Sequence, residues 1–117
     1  MSDKEAEHIS NKRLLLLLVL AGTVLFVLFN PIQFSYLSGK SMEPTLEPGG
    51  IVIHSEQDSY EVGEIIVFYD GEKQIGHRII DETPRGFVTK GDNNSYVDYT
   101  LVTEDMIRGE IIYYIEL

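Results

Sequence analysis

The sequence predicts a mainly β protein: a small antiparallel β-barrel or sandwich-like domain carried on one N-terminal transmembrane helix. Three observations predict it. An uninterrupted apolar run sits near the N-terminus, short β-branched and aromatic runs come after it, and clusters of turn residues separate those runs.

The apolar run is Leu14 to Phe29 (LLLLLVLAGTVLFVLF), with no charge in it. As a helix it spans roughly 24 Å, short of the ~30 Å hydrocarbon core of a bilayer. Continuing the helix through Ile32 to Phe34 supplies the missing length, with a kink at Pro31. Lys12 and Arg13 abut the run and the next positive charge is Lys40, so the positive-inside rule puts the N-terminus in the cytoplasm. The expected organisation is a cytoplasmic N-terminus over 1–13, a transmembrane anchor over 14–34 and an extracytoplasmic β domain over 35–117. A basic start before an apolar run also suits a cleaved leader. Phe29-Asn30-Pro31-Ile32-Gln33 holds no small-x-small cleavage site, so an uncleaved, single-pass anchor in the cell membrane is expected.

Beyond the anchor the strands read in order. Ile51–Ile53, Glu64–Tyr69, Ile75–Ile80, Gly86–Thr89 and Ile111–Ile115 are runs rich in Ile, Val, Phe and Tyr. Pro48-Gly49-Gly50, Asp70-Gly71, Thr83-Pro84-Arg85-Gly86 and Gly91-Asp92-Asn93-Asn94 carry turn chemistry between them, and Asp70-Gly71 reads as a hairpin. Thr103 to Arg108 is the one segment that reads as a helical turn.

Composition removes several function classes. The formal net charge is −10, and all of it arises from Ser35 onward. An acidic domain has no basic stripe to meet phosphates, so nucleic-acid binding is not expected. There is no cysteine, so the β domain is stabilised without disulfides. Asp92, Asn94, Tyr96 and Asp98 alternate as in an EF-hand loop. Val97 stands where that loop needs Gly, however, and the remaining acidic ligand is missing. No metal and no cofactor is expected.

The candidates for chemistry are few. Ser41 lies in Ser38-Gly39-Lys40-Ser41-Met42-Glu43-Pro44-Thr45-Leu46, where a bend can expose its hydroxyl and free nearby N–H groups to hold an oxyanion. By itself such a serine reads as a turn cap. A nucleophilic serine needs a base. His8 precedes the anchor, and His54 reads as a strand-end or surface histidine. Lys40 adjoins Ser41 and points to the opposite face of an extended chain. Arg78 keeps its proton. His77, in Gly76-His77-Arg78, is the base that remains. Asp92 and Asp98, in the polar loop after it, are both candidates to orient the imidazole.

Taken in order, Ser-Met-x-Pro-Thr-Leu after an apolar helix, then Gly-His-Arg, then Lys-Gly-Asp-Asn-Asn with Asp98 beyond, resembles type I signal peptidase. The histidine makes it similar to the archaeal and endoplasmic-reticulum branch, which uses a Ser-His arrangement. The resemblance implies that Ser41 is the nucleophile, His77 the general base and Asp98 the acid of the triad. Asp92 would be the aspartate of the Gly-Asp-Asn motif, and which aspartate bonds to His77 is left open. It also implies an enzyme that removes signal peptides, with secretory preproteins as partners, membrane lipid around it and the translocation machinery as a further candidate partner. Two departures stand out. Family members often carry Ser two residues before the nucleophile, where this chain has Gly39. Many also have a second transmembrane helix, so a single-span form is expected here. The alternative is a non-catalytic, membrane-anchored β binding module, in which Ser41 and His77 would lie far apart.

Overall fold

The computed structural model describes residues 2–29 and 31–117. Asn30, within the stretch read as lacking a leader-cleavage site, lies outside the described residues, as does Met1. The chain divides into two units, Met1–Pro31 and Ile32–Leu117.

The first unit is one helix, α1 (Asp3–Phe29), long and apolar enough to cross a membrane. Its apolar side chains from Leu14 to Phe29 are exposed. The helix does not continue to Phe34 as expected. Pro31 has no N–H to donate to a helical ladder, and Ile32-Gln33-Phe34-Ser35-Tyr36 instead forms β1 (Ile32–Tyr36). That strand finds a partner that isolated helix propensity cannot anticipate: Ile32 through Tyr36 pair antiparallel with Ser55 through Ile51.

The second unit is a six-stranded antiparallel sheet. Its remaining strands are β2 (Ile51–Ser55), β3 (Ile65–Tyr69), β4 (Gln74–Thr83), β5 (Gly86–Lys90) and β6 (Ile107–Ile115). The order across the sheet is β1-β2-β6-β3-β4-β5, so β1 and β5 are its edges. All five expected strands are present; four extend beyond their apolar runs, and the one expected from Glu64 begins at Ile65. The Asp70-Gly71 hairpin joins β3 to β4, with Asp70 Oδ1 accepting from the N–H groups of Glu72 and Lys73 and Gly71 at φ +103°. A 3₁₀ turn at Glu104–Met106 lies in the segment read as helical.

The sheet is lined by two apolar clusters, and β3 feeds both. Ile66 and Phe68 join Tyr60, Ile79, Phe87, Val102 and Ile107. Val67, pointing the other way, joins Met42, Leu46 and Val52. A strand buried on both faces needs an unbroken apolar sequence, which is what Ile-Ile-Val-Phe supplies. Each fully buried side chain of this kind contributes about 1.5–3 kcal/mol, and with no cysteine in the sequence no disulfide adds to it.

His54, read as a strand-end or surface histidine, lies one residue from the end of β2 and is buried there. Along β2 the inward positions alternate through Val52 and His54, and His54 is 1% exposed. Its Nε2 meets Ser35 Oγ on β1 at 2.9 Å, and burial pushes its pKa below the usual histidine value.

Candidate active site

Ser41 sits in the loop between β1 and β2. The loop is closed at its base by two hydrogen bonds, Leu37 N–H to Gly50 O at 2.9 Å and Gly49 N–H to Leu37 O at 2.7 Å. Inside it, Glu43 N–H donates to Lys40 O and Leu46 N–H to Met42 O, which bends the chain around the serine. The Met42 side chain is fully buried, so Ser41 is one residue from a fixed point of the core.

The loop after β5 holds Ser41 from its other side. Asn93 N–H donates to Ser41 O at 2.8 Å, and Asn93 Nδ2 donates to Lys40 O at 3.1 Å. Asp92 N–H approaches Met42 Sδ at 3.4 Å. Gly91 makes this approach possible, because a Cβ there would stand 2.6 Å from Ser41 O and 3.0 Å from Ser41 Cβ. The Gly-Asp-Asn run is thus the backing of the serine loop.

His77 comes from β4 and is 7% exposed. Its Nε2 lies 3.0 Å from Ser41 Oγ and its Nδ1 2.6 Å from Asp98 Oδ2. A carboxylate only accepts, so the hydrogen-bond network assigns the ring proton to Nδ1 and aims the Nε2 lone pair at the serine hydroxyl. Phe68 packs against the imidazole edge-on at 6.4 Å between centroids. Asp98 Oδ2 also accepts from Thr89 Oγ1 at 2.6 Å.

The two aspartates have different surroundings. Asp92 faces Arg78 and Thr45 rather than His77. Its carboxylate takes a bidentate pair from Arg78, with Nε at 2.8 Å and Nη2 at 2.7 Å, and a third bond from Thr45 Oγ1 at 2.6 Å. The Arg78 guanidinium, followed by the Thr45 hydroxyl, holds its pKa down at about 2. Arg78 Nη1 continues to Gly63 O at 2.8 Å. Arg78, set aside above as a base, therefore ties the loop after β5 to the turn before β3. Sequence reasoning did not single out Thr89 or Thr45. The available signal for Thr89 was its place in Gly-Phe-Val-Thr-Lys, where alternation puts a hydroxyl on the same inward face as Phe87.

Ser41 and His77 open on a cleft of about 420 Å³, lined in part by the apolar side chains of Leu37, Val52, Val67 and Ile111. Among the described residues, no group of three or more His, Cys, Asp or Glu side chains is arranged to hold a metal ion. A hydroxyl facing an imidazole lone pair, with a carboxylate behind the ring, is an arrangement that can activate a serine as a nucleophile. A contact of 3.0 Å between Ser41 and His77 is the opposite of the wide separation a non-catalytic module would have.

The family described as "Signal peptidase, peptidase S26" matches residues 10–99. The chain is also similar to Signal peptidase I W of Bacillus subtilis (strain 168), with 38% identity over 84 residues. That likeness covers 65% of this chain and 44% of the relative, so the match spans less than half the relative's length. No solved structure matches the chain.

Proposed function

The chain belongs to the signal peptidase family, peptidase S26, and on that premise we propose that it is a membrane-bound serine endopeptidase that removes signal peptides from secreted preproteins. The observation that carries the reading is the hydrogen-bonded line from Ser41 Oγ through His77 to Asp98 Oδ2, set beside a cleft. A histidine in the base position supports a Ser-His mechanism of the archaeal and endoplasmic-reticulum kind.

The preprotein lies extended in the cleft, its backbone held by strand-like hydrogen bonds and small side chains beside the cut seated against the apolar wall. Ser41 Oγ attacks the scissile carbonyl carbon while its proton passes to His77 Nε2. The oxyanion is held by the backbone N–H of Ser41, since Gly39 offers no hydroxyl. Asp98 keeps the ring oriented and stabilises the imidazolium. Collapse of the tetrahedral intermediate breaks the C–N bond, and the leaving amine of the mature protein takes the proton from Nε2. Water then gives a proton to His77 and attacks the acyl ester. Collapse of this second intermediate breaks the ester C–O bond, His77 Nε2 returns its proton to Ser41 Oγ, and the signal peptide leaves as a carboxylic acid that ionises in water. Asp92 acts at one remove, tying the Gly-Asp-Asn loop to Arg78 so that Asn93 keeps Ser41 in place.

The apolar stretch of α1 serves as the anchor, and Lys12 and Arg13, in the helix just before that stretch, favour a cytoplasmic N-terminus with the β unit outside. The test is preprotein cleavage in detergent or liposomes. Ser41→Ala should lower the rate by at least ~10³-fold with folding intact. Unimpaired processing by that variant would end the assignment.

A further inference from the structure

We propose that Thr89 is a positioning residue for the Ser41–His77–Asp98 line, holding the acid in place from a rigid strand by gripping both its backbone and its carboxylate. The proposal rests on the serine-peptidase reading above.

Asp98 needs such support because of where it lies. It comes after β5 in a loop whose neighbouring residues, Ser95, Tyr96, Val97, Tyr99 and Thr100, are all exposed. No strand ladder fixes that stretch, and an exposed loop wanders more than a strand. Its carboxylate nevertheless has to meet His77 Nδ1 at 2.6 Å. Thr89 supplies the register. It is fully buried on β5, and Ile79 of β4 is its cross-strand partner. Ile79 is two residues from His77 on the same strand, so the hydroxyl and the imidazole project from one face of the sheet.

Two bonds leave Thr89 for the same residue. Its carbonyl oxygen accepts the Asp98 N–H at 2.8 Å, and its hydroxyl donates to Asp98 Oδ2 at 2.6 Å. The first sets the height of the loop against the strand, and the second sets the rotation of the carboxylate. The oxygen that takes the Thr89 hydroxyl is also the one that takes His77 Nδ1–H. That oxygen is thus fixed between two donors, which keeps it in line with the ring. With the hydroxyl removed, the carboxylate turns more freely and its alignment with Nδ1–H loosens.

Thr89→Val keeps the branched shape that packs in the core and deletes only the donor. Thr89→Ser keeps the donor and loses a methyl. In a preprotein cleavage assay the valine variant should lose roughly 10- to 100-fold in kcat, the range of a buried hydrogen bond to a charged group. Its KM should stay near wild type, because the cleft is untouched. The serine variant should recover kcat to within about threefold of wild type. If valine packs badly enough to unfold the unit, Thr89→Ala takes its place in the comparison. The proton on His77 Nδ1, tracked by NMR, is a readout that needs no turnover. It should move from its wild-type position in the donor-less variant, as the carboxylate loses its alignment, and stay put in Thr89→Ser. A wild-type kcat with an unmoved Nδ1 proton in Thr89→Val, or a serine variant as slow as valine, would overturn the proposal. Failure of the enzyme reading itself would look different, as full cleavage by Ser41→Ala.

Discussion

Gly91 and Ser41 approach so closely that a Cβ on the glycine would stand 2.6 Å from the serine's carbonyl oxygen. The contact places the Gly-Asp-Asn loop directly behind the serine and leaves no room for a methyl. Both neighbours are held elsewhere, Ser41 by the buried Met42 and the loop by the Asp92–Arg78 pair, so neither yields cheaply.

Gly91→Ala should therefore cost about 1–3 kcal/mol of stability, as overpacking in a filled interior does. It should also slow preprotein cleavage, since the shift falls on the serine. Thermal unfolding alongside initial rates would check both. Wild-type stability with a wild-type rate would mean that the two loops do not press on each other.

Asp92 and Asp98 should separate stability from rate. The Asp92 carboxyl is held down at about 2 by Arg78 first and Thr45 second, below its value in an unfolded chain. The unfolded chain therefore binds that proton more readily. The stabilisation is full above roughly pH 5 and is lost as pH falls toward 2. Because the pair remains in touch with solvent, it is worth about 1 kcal/mol. Asp92→Asn should lower the unfolding midpoint at pH 7 and flatten its fall in acid, with a smaller effect on cleavage. Asp98→Ala should show the reverse, a loss of at least ~10²-fold in rate. Equal rate losses in the two variants would remove the distinction.

Cleavage should decline in acid. Ser41 can give its proton to His77 only when Nε2 carries a free lone pair, so protonation of the imidazole stops the reaction. Initial rates on one preprotein from pH 5 to 8, at an ionic strength held constant, would measure the limb. A flat profile would take the base role away from the imidazole.

Gly39→Ser should raise the rate. A side chain at this position meets nothing within 4 Å, so the added hydroxyl fits without displacing a neighbour. If it turns toward the developing oxyanion it adds a donor to the one from Ser41 N–H, and a gain of about tenfold in kcat is expected. A rate at or below wild type would mean that the hydroxyl points away from the reacting carbonyl.

Much of this architecture was legible residue by residue. The strands from Ile51 onward declared themselves because β-branched and aromatic runs between Gly-, Pro- and Asp-rich turns have few other stable forms. β1 was hidden for a specific reason. Ile32, Phe34 and Tyr36 alternate with Gln33 and Ser35 over only five residues directly behind the anchor, and the partner strand Ile51–Ser55, further along the chain, is what makes them a strand. His54 was placed near a strand end, where it lies, but its burial was not legible, because a single histidine after Ile51-Val52-Ile53 says nothing about which face of the sheet is covered.

By itself the sequence determined the apolar helix, the β class of the domain beyond it and the short roster of groups able to do chemistry outside that helix, because periodicity and side-chain type are local properties. The tertiary structure decided which of those groups meet. It brought His77 to Ser41 across 36 positions, gave Asp98 to His77 and Asp92 to Arg78, and set a buried threonine behind the acid. Two aspartates six residues apart in one loop are chemically identical on paper. Both carboxylates reach β4 once the sheet has closed its hydrogen-bond ladders, but adjacent residues of a strand project to opposite faces, so one meets His77 and the other Arg78.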